Sequence, residues 1–390
     1  MAEKIVIAGG GIGGLAAALA LGQQGAGIQL LEQAAGFGEV GAGIQLGPNV
    51  VRVLESWGLS DALRAVAAFP DCLRVRNGMD GGVLGELPLG TAMVQRYGAA
   101  YATVARTDMH GLLLKAVRCL PNAQLHLATE VTGVEQSADA VQVHTRRQTF
   151  AAGLLVGADG VWSRLRAQVI DDGPPRVTGH LAFRAMVPQA GLPQHLHSGV
   201  VTAWLGRDFH VVQYPVRRGE WLNIVAIVHG QVPGDPGHWD HSANAADLQV
   251  RLADACSTLQ ELIHAVPAWR LWALSDRPPM RGAGEHAKGR VALLGDAAHP
   301  MRPYLAQGAG MAIEDADSLA KALAAVPGDV PTALQRYANQ RWQRNARVQA
   351  RAIRNGEIFH LQGPMQMGRD LSLRILGPKL LDVPWLYRGA

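Results

Sequence analysis

The opening stretch EKIVIAGGGIGGLAAALALGQQGAGIQLLEQ leaves few folds open. A short apolar run meets Gly9, Gly11 and Gly14 in GxGxxG spacing; small residues follow, then a second apolar run ending on Glu32. This pattern predicts strand, helix and strand, a βαβ unit of about 30 residues. Glycines directly after the first strand allow a tight turn, close backbone approach to a pyrophosphate and close helix packing. An acid about 20 residues further on is placed to accept hydrogen bonds from a ribose. The expected fold class is α/β, built on a Rossmann-like dinucleotide-binding domain.

Composition narrows the setting. The 390 residues are 48% hydrophobic, long enough for two packed domains of a soluble globular protein. Cys72, Cys119 and Cys256 show neither metal spacing nor an even framework, which predicts no metal and a reducing, cytoplasmic setting. Lys4 precedes an apolar run, but Glu3 and the glycines from Gly9 to Gly14 interrupt what a signal peptide would keep continuous. No stretch approaches the roughly 18 apolar residues of a membrane span. The net charge of +4 is uneven: residues 331–390 carry ten Lys or Arg against three acids. Arg341, Arg344, Arg347, Arg351 and Arg354 recur on one side of a helix, read as a solvated or salt-bridged face with no nucleic-acid partner.

Two later segments decide which dinucleotide is expected. LLVGADGVWSRLR (154–166) reads as an apolar strand and a DG turn, and VALLGDAAHP (291–300) as another such strand ending in GD. With the first motif, these resemble the three signatures of the single-component FAD-dependent aromatic hydroxylases related to 4-hydroxybenzoate hydroxylase. The resemblance runs from the first strand to the final LLDVPWLY. FGEVGAGIQLGPNVVRVLESWGL, HVVQYPVRRG and GDAAHPMRPYLAQGAGMAIEDA are most similar to the branch of salicylate hydroxylase, 3-hydroxybenzoate 6-hydroxylase and 6-hydroxynicotinate monooxygenase.

The resemblance implies FAD as cofactor and NADH, favoured over NADPH, as electron donor. It implies oxygen addition at flavin C4a and transfer from the hydroperoxide to a phenolic aromatic acid or related ring. Carried over residue by residue, Asp296 holds the ribityl chain, Glu32 the adenosine ribose, and Arg106 lies near the phosphate and ribityl region. Asp159 is shared between flavin and nicotinamide. Gly308, Ala309 and Gly310 open a helix whose apolar face recurs every three to four residues. Its bare amides, aimed at the flavin pyrimidine as the resemblance implies, favour the anionic charge of reduced flavin.

A ring hydroxyl reacts best when ionised, so a proton acceptor is needed within hydrogen-bond reach. WLGRDFHVVQYPV reads as a strand, and residues four apart on a strand share a face, which brings His210 and Tyr214 together. The branch uses a His and a Tyr at this HxxxY spacing beside the substrate ring, implying catalytic roles for both. Gln45, Pro303 and Tyr304 are expected to border the ring. Pro303 departs from the glutamine of some 3-hydroxybenzoate 6-hydroxylases, which counts against 3-hydroxybenzoate itself. His299 is expected to pack or cap behind the flavin.

The resulting architecture is a discontinuous FAD-binding domain (1–70, 100–178 and 276–325) with an inserted mixed-sheet substrate domain (71–99 and 179–275) and C-terminal helices (326–390). Expected partners are a small aromatic substrate and O2, with a homodimer left open. The alternative is a flavin oxidoreductase of the same fold that oxidises NADH without hydroxylating. A flavin-dependent halogenase is disfavoured because no WxWxIP stretch occurs.

Overall fold

The first strand, Lys4–Ala8, buries its four apolar residues and pairs in parallel with Gly27–Leu31 on one side and Leu154–Gly157 on the other. Continuous apolar runs suit strands covered on both faces. The chain leaves on one side, through Gly27–Leu31 to Ala123–His126, then returns on the other through Leu154–Gly157 to Val291–Leu293. Such a reversal opens a crevice at the carboxyl ends of the strands, where α/β sheets bind ligands. The GxGxxG, DG and GD turns follow three neighbouring parallel strands at that crevice. The structure, a computed structural model, describes residues 4–38, 42–231, 234–235, 241–242 and 244–389. Residues 39–41 of the FGEVGAG stretch, and Glu3, lie outside the described residues.

A second, eight-stranded sheet is mixed: among the described residues its only parallel pair joins Val201–Leu205 to Cys72–Asn77. Its middle is the long strand Arg176–Pro188 followed in order by Trp221–His229 and Phe209–Val216. The latter two alternate buried side chains between an apolar cluster on one face and the crevice on the other.

The helix Ile12–Gln23 packs on the first sheet through Leu15, Ala16, Leu19 and other small apolar residues. Beside it runs Gly308–Ala325, whose Ala312, Ile313, Ala316, Leu319 and Ala320 are buried, as their spacing predicts. The long helix Val330–Phe359 and the helix Gly363–Leu381 close the chain. Among the described residues no helix is long and apolar enough to cross a membrane.

Candidate active site

The glycine turn is built for close approach. Gly9 has φ +109°, and a Cβ there would fall 2.3 Å from the Ala158 carbonyl oxygen; a Cβ at Gly14 would fall 1.9 Å from the Gly9 carbonyl oxygen. Neither position admits another residue without moving backbone. Gly11 caps the helix Ile12–Gln23 with no side-chain cap, so the first amides of that helix are left for a ligand. Glu32 braces the turn: its Oε2 accepts from the Gly10 amide at 2.7 Å and its Oε1 from the Ala34 amide at 2.8 Å. Each oxygen retains acceptor capacity for a sugar hydroxyl.

From Gly11 and Gly13 a cavity of about 910 Å³ runs past Asp296 to the start of the helix Gly308–Ala325, and on to the strand Phe209–Val216. That second helix also begins without a side-chain cap. Arg106, Gly308 and Ala309 line this stretch. Gly310 instead packs beside Val50, where a Cβ would come within 2.8 Å of Cγ2.

At the far end stand His210 and Tyr214, only 1% and 4% exposed, both facing the cavity as their spacing requires. His210 Nδ1 lies 2.9 Å from His360 Nε2. Burial, helped by His360, pushes the His210 imidazole well below its ordinary value, and burial pushes the Tyr214 hydroxyl up. Gln45 accepts from the Tyr101 hydroxyl at 2.6 Å. Gly43 brings its backbone against Tyr214: a Cβ there would meet the ring at 2.5 Å, while its amide donates to Asn223 at 2.5 Å. Pro303 and Tyr304 form another wall, with the Tyr304 hydroxyl 2.8 Å from His180 Nδ1.

Asp159 is turned elsewhere. It accepts from the Ser163 hydroxyl at 2.6 Å and the Leu165 amide at 3.1 Å, holding the start of the helix Arg164–Val169, while Ala158 and Gly160 line the cavity beside it. His299 also faces away, fully buried with Nε2 2.5 Å from Asp315.

The arginine face of the last long helix is the main departure from the solvated reading. Arg341 is 0% exposed, paired with Glu314 and Asp315 at 2.7 Å each. Arg344 pairs with Glu314, Arg347 lies over the Trp385 ring, and Arg351 and Arg354 line the cavity. Arg341 and Arg344 turn inward because the adjacent helix carries Glu314 and Asp315 opposite them, while Arg347 and Arg354 are exposed, so each half of the reading describes part of the face. Arg184 escaped the sequence reading altogether. It lies on the cavity wall, 4.0 Å over the Trp272 ring, with Nε lacking a hydrogen-bond partner, and burial pushes its guanidinium down to about 9. Its only signal was a charge inside the otherwise apolar LAFRAMV.

Residues 2–352 match the family model described as FAD binding domain. Along 386 residues the chain is 38% identical to a 3-hydroxybenzoate 6-hydroxylase of Polaromonas naphthalenivorans (strain CJ2), covering 98% of this chain and 95% of the relative. The chain belongs to the FAD-dependent aromatic hydroxylases. Another member, a 6-hydroxynicotinate 3-monooxygenase of Bordetella bronchiseptica, is 35% identical over 89% of each chain. The crystal structure of Klebsiella pneumoniae HpxO complexed with FAD and uric acid superposes with TM-score 0.84 at 26% identity, over 96% of this hydroxylase and 93% of that chain. The cavity fits the cofactor: two uncapped helix starts suit the pyrophosphate and the flavin pyrimidine, and Asp296 lines the same cavity.

Proposed function

We propose that this hydroxylase acts on a phenolic aromatic acid, or a related hydroxylated ring, with NADH as electron donor and O2 as co-substrate. The observation that carries the reading is the convergence of His210, Tyr214 and Arg184 on one buried cavity end. Bound FAD would accept the hydride and activate oxygen. Asp296, Arg106 and the amides from Gly308 would hold the flavin side, and Glu32 the adenosine ribose. With Nδ1 donating to His360, His210 presents Nε2 as acceptor for the ring hydroxyl, and Tyr214 orients it. Arg184 supplies a desolvated cation for the substrate's anionic group. Leu73, Val75, Val212 and Ile227 keep that end apolar, so water is excluded where oxygen is transferred.

The test is a panel of hydroxylated benzoates and pyridines, scored for stimulated NADH and NADPH oxidation with the product identified. A ring hydroxylated in stoichiometry with NADH supports the reading. NADH oxidation that yields only hydrogen peroxide with every ring would favour the plain flavin oxidoreductase.

Asp296→Ala is expected to weaken FAD binding by roughly 10- to 100-fold, matching about 1.5–3 kcal/mol for hydrogen bonds to a charged group. Titrating apoprotein with FAD by flavin fluorescence measures it, and an unchanged affinity removes Asp296 from the flavin site.

A further inference from the structure

Behind the wall formed by His210 and Tyr304 stand three more histidines, and we propose that His180, His229 and His360 form a site for a divalent transition-metal ion. One ring nitrogen of each lies within 4.8 Å of the others'. Their spacing follows from the fold. His180 and His229 are directly paired across the antiparallel strands Arg176–Pro188 and Trp221–His229, with ring centroids 4.3 Å apart. His360 arrives from the end of the helix Val330–Phe359, its ring 5.1 Å from that of His229.

Donor chemistry selects the ion. Three imidazoles without a carboxylate suit zinc, copper or nickel, whereas magnesium and calcium demand oxygen ligands. Three protein nitrogens with a solvent-facing side match an open zinc site, and His229 is exposed. The outer contacts are also in place: Tyr304 holds His180 Nδ1 at 2.8 Å and His210 holds His360 Nε2 at 2.9 Å. Each of these two imidazoles would give an ion its other nitrogen; with Nδ1 on the ion, His360 carries its proton on Nε2 and donates to His210 Nδ1, so a bound ion takes the ring-hydroxyl acceptor away from His210. The cations nearby are paired, Arg369 with Asp370 at 2.7 Å and Arg302 with Asp276 at 2.7 Å, an acid that Arg176 shares at 2.9 Å. The other such cluster among the described residues, His286, His299 and Asp315, is wholly buried and engaged by Tyr337, Asn345 and Arg341, so an ion has no path to it. Because Tyr304 and His210 also line the cavity, an ion at the three histidines would be tied to two of its walls.

Tag-free, FAD-loaded protein, stripped of metals by a chelator, is titrated calorimetrically with zinc chloride and separately with magnesium chloride. One zinc ion per chain and no magnesium binding are expected. His229→Ala changes an exposed residue outside the cavity and should keep its flavin spectrum. Loss of an outer contact costs about 10- to 100-fold in metal affinity, so loss of this ligand should cost at least ~100-fold. The proposal is overturned if the parent takes up no zinc, if magnesium binds equally well, or if His229→Ala binds zinc as the parent does.

Discussion

His210→Ala is expected to slow ring hydroxylation by roughly 10²- to 10⁴-fold while FAD content stays normal. The side chain is buried at the cavity end, four residues from Tyr214 on one strand, and its Nε2 is the acceptor we propose for the ring hydroxyl. Without it, the substrate ionises only as fast as water and pH allow. More of the NADH consumed should therefore end as hydrogen peroxide, and the defect should shrink at high pH, where the substrate hydroxyl loses its proton unaided. Product and peroxide are measured together against NADH across pH. A variant that matches the parent in rate and peroxide yield would make His210 an ordinary buried strand residue, leaving Tyr214 or a water chain to take the proton.

Arg341→Met should cost about 3–5 kcal/mol of stability, the usual cost of removing one partner from a buried ion pair. Arg341 bridges Glu314 and Asp315 at full burial, and although burial would lower its guanidinium, those two acids outweigh it and hold the group above its ordinary value. Burial also pushes Asp315 upward, but His299 and Arg341 outweigh it and hold its carboxyl well below the usual range. A carboxyl depressed in the folded state stabilises the fold above the unfolded value near 3.9 and loses that stabilisation as pH falls through its folded value. Without Arg341 the depression shrinks, so acid unfolding should begin at higher pH as well. Urea and acid titrations at saturating FAD, followed by tryptophan fluorescence, test both effects. Midpoints equal to the parent's would mean that the network contributes no net stability.

The glycine turn and the strands around it were readable because most of their rules are local. Gly9 answers to its positive φ, Gly14 to close approach by the Gly9 carbonyl, Gly11 to the uncapped helix start and Glu32 to the end of the next strand. His210 and Tyr214 were equally readable, since a strand's period of two places residues four apart on one face. The apolar spacing after Gly308 announced a helix that packs closely, and Ala312, Ile313, Ala316, Leu319 and Ala320 are buried, with Ala309 and Leu323 half-buried.

Pairings between distant segments were not readable. Helical spacing put Arg341 to Arg354 on one face, but an amphipathic pattern does not say whether charges face water or another helix. Glu314 and Asp315 made that choice for Arg341 and Arg344 by packing opposite them, and left Arg347 and Arg354 exposed. Asp159 has the residue type and turn expected of a cofactor ligand, yet the start of the helix Arg164–Val169 occupies its carboxylate. Arg184 looked like a lone charge in a strand until the second sheet placed it on the cavity wall. His210 and His360 are 150 residues apart, and no local period couples them. Sequence alone determined the dinucleotide turn, the shared face of His210 and Tyr214, and the family, because backbone conformation and side-chain periodicity act over a few residues. Only the tertiary structure decided which charges turn inward and which histidines meet, because those depend on desolvation and contact between segments that the chain brings together last.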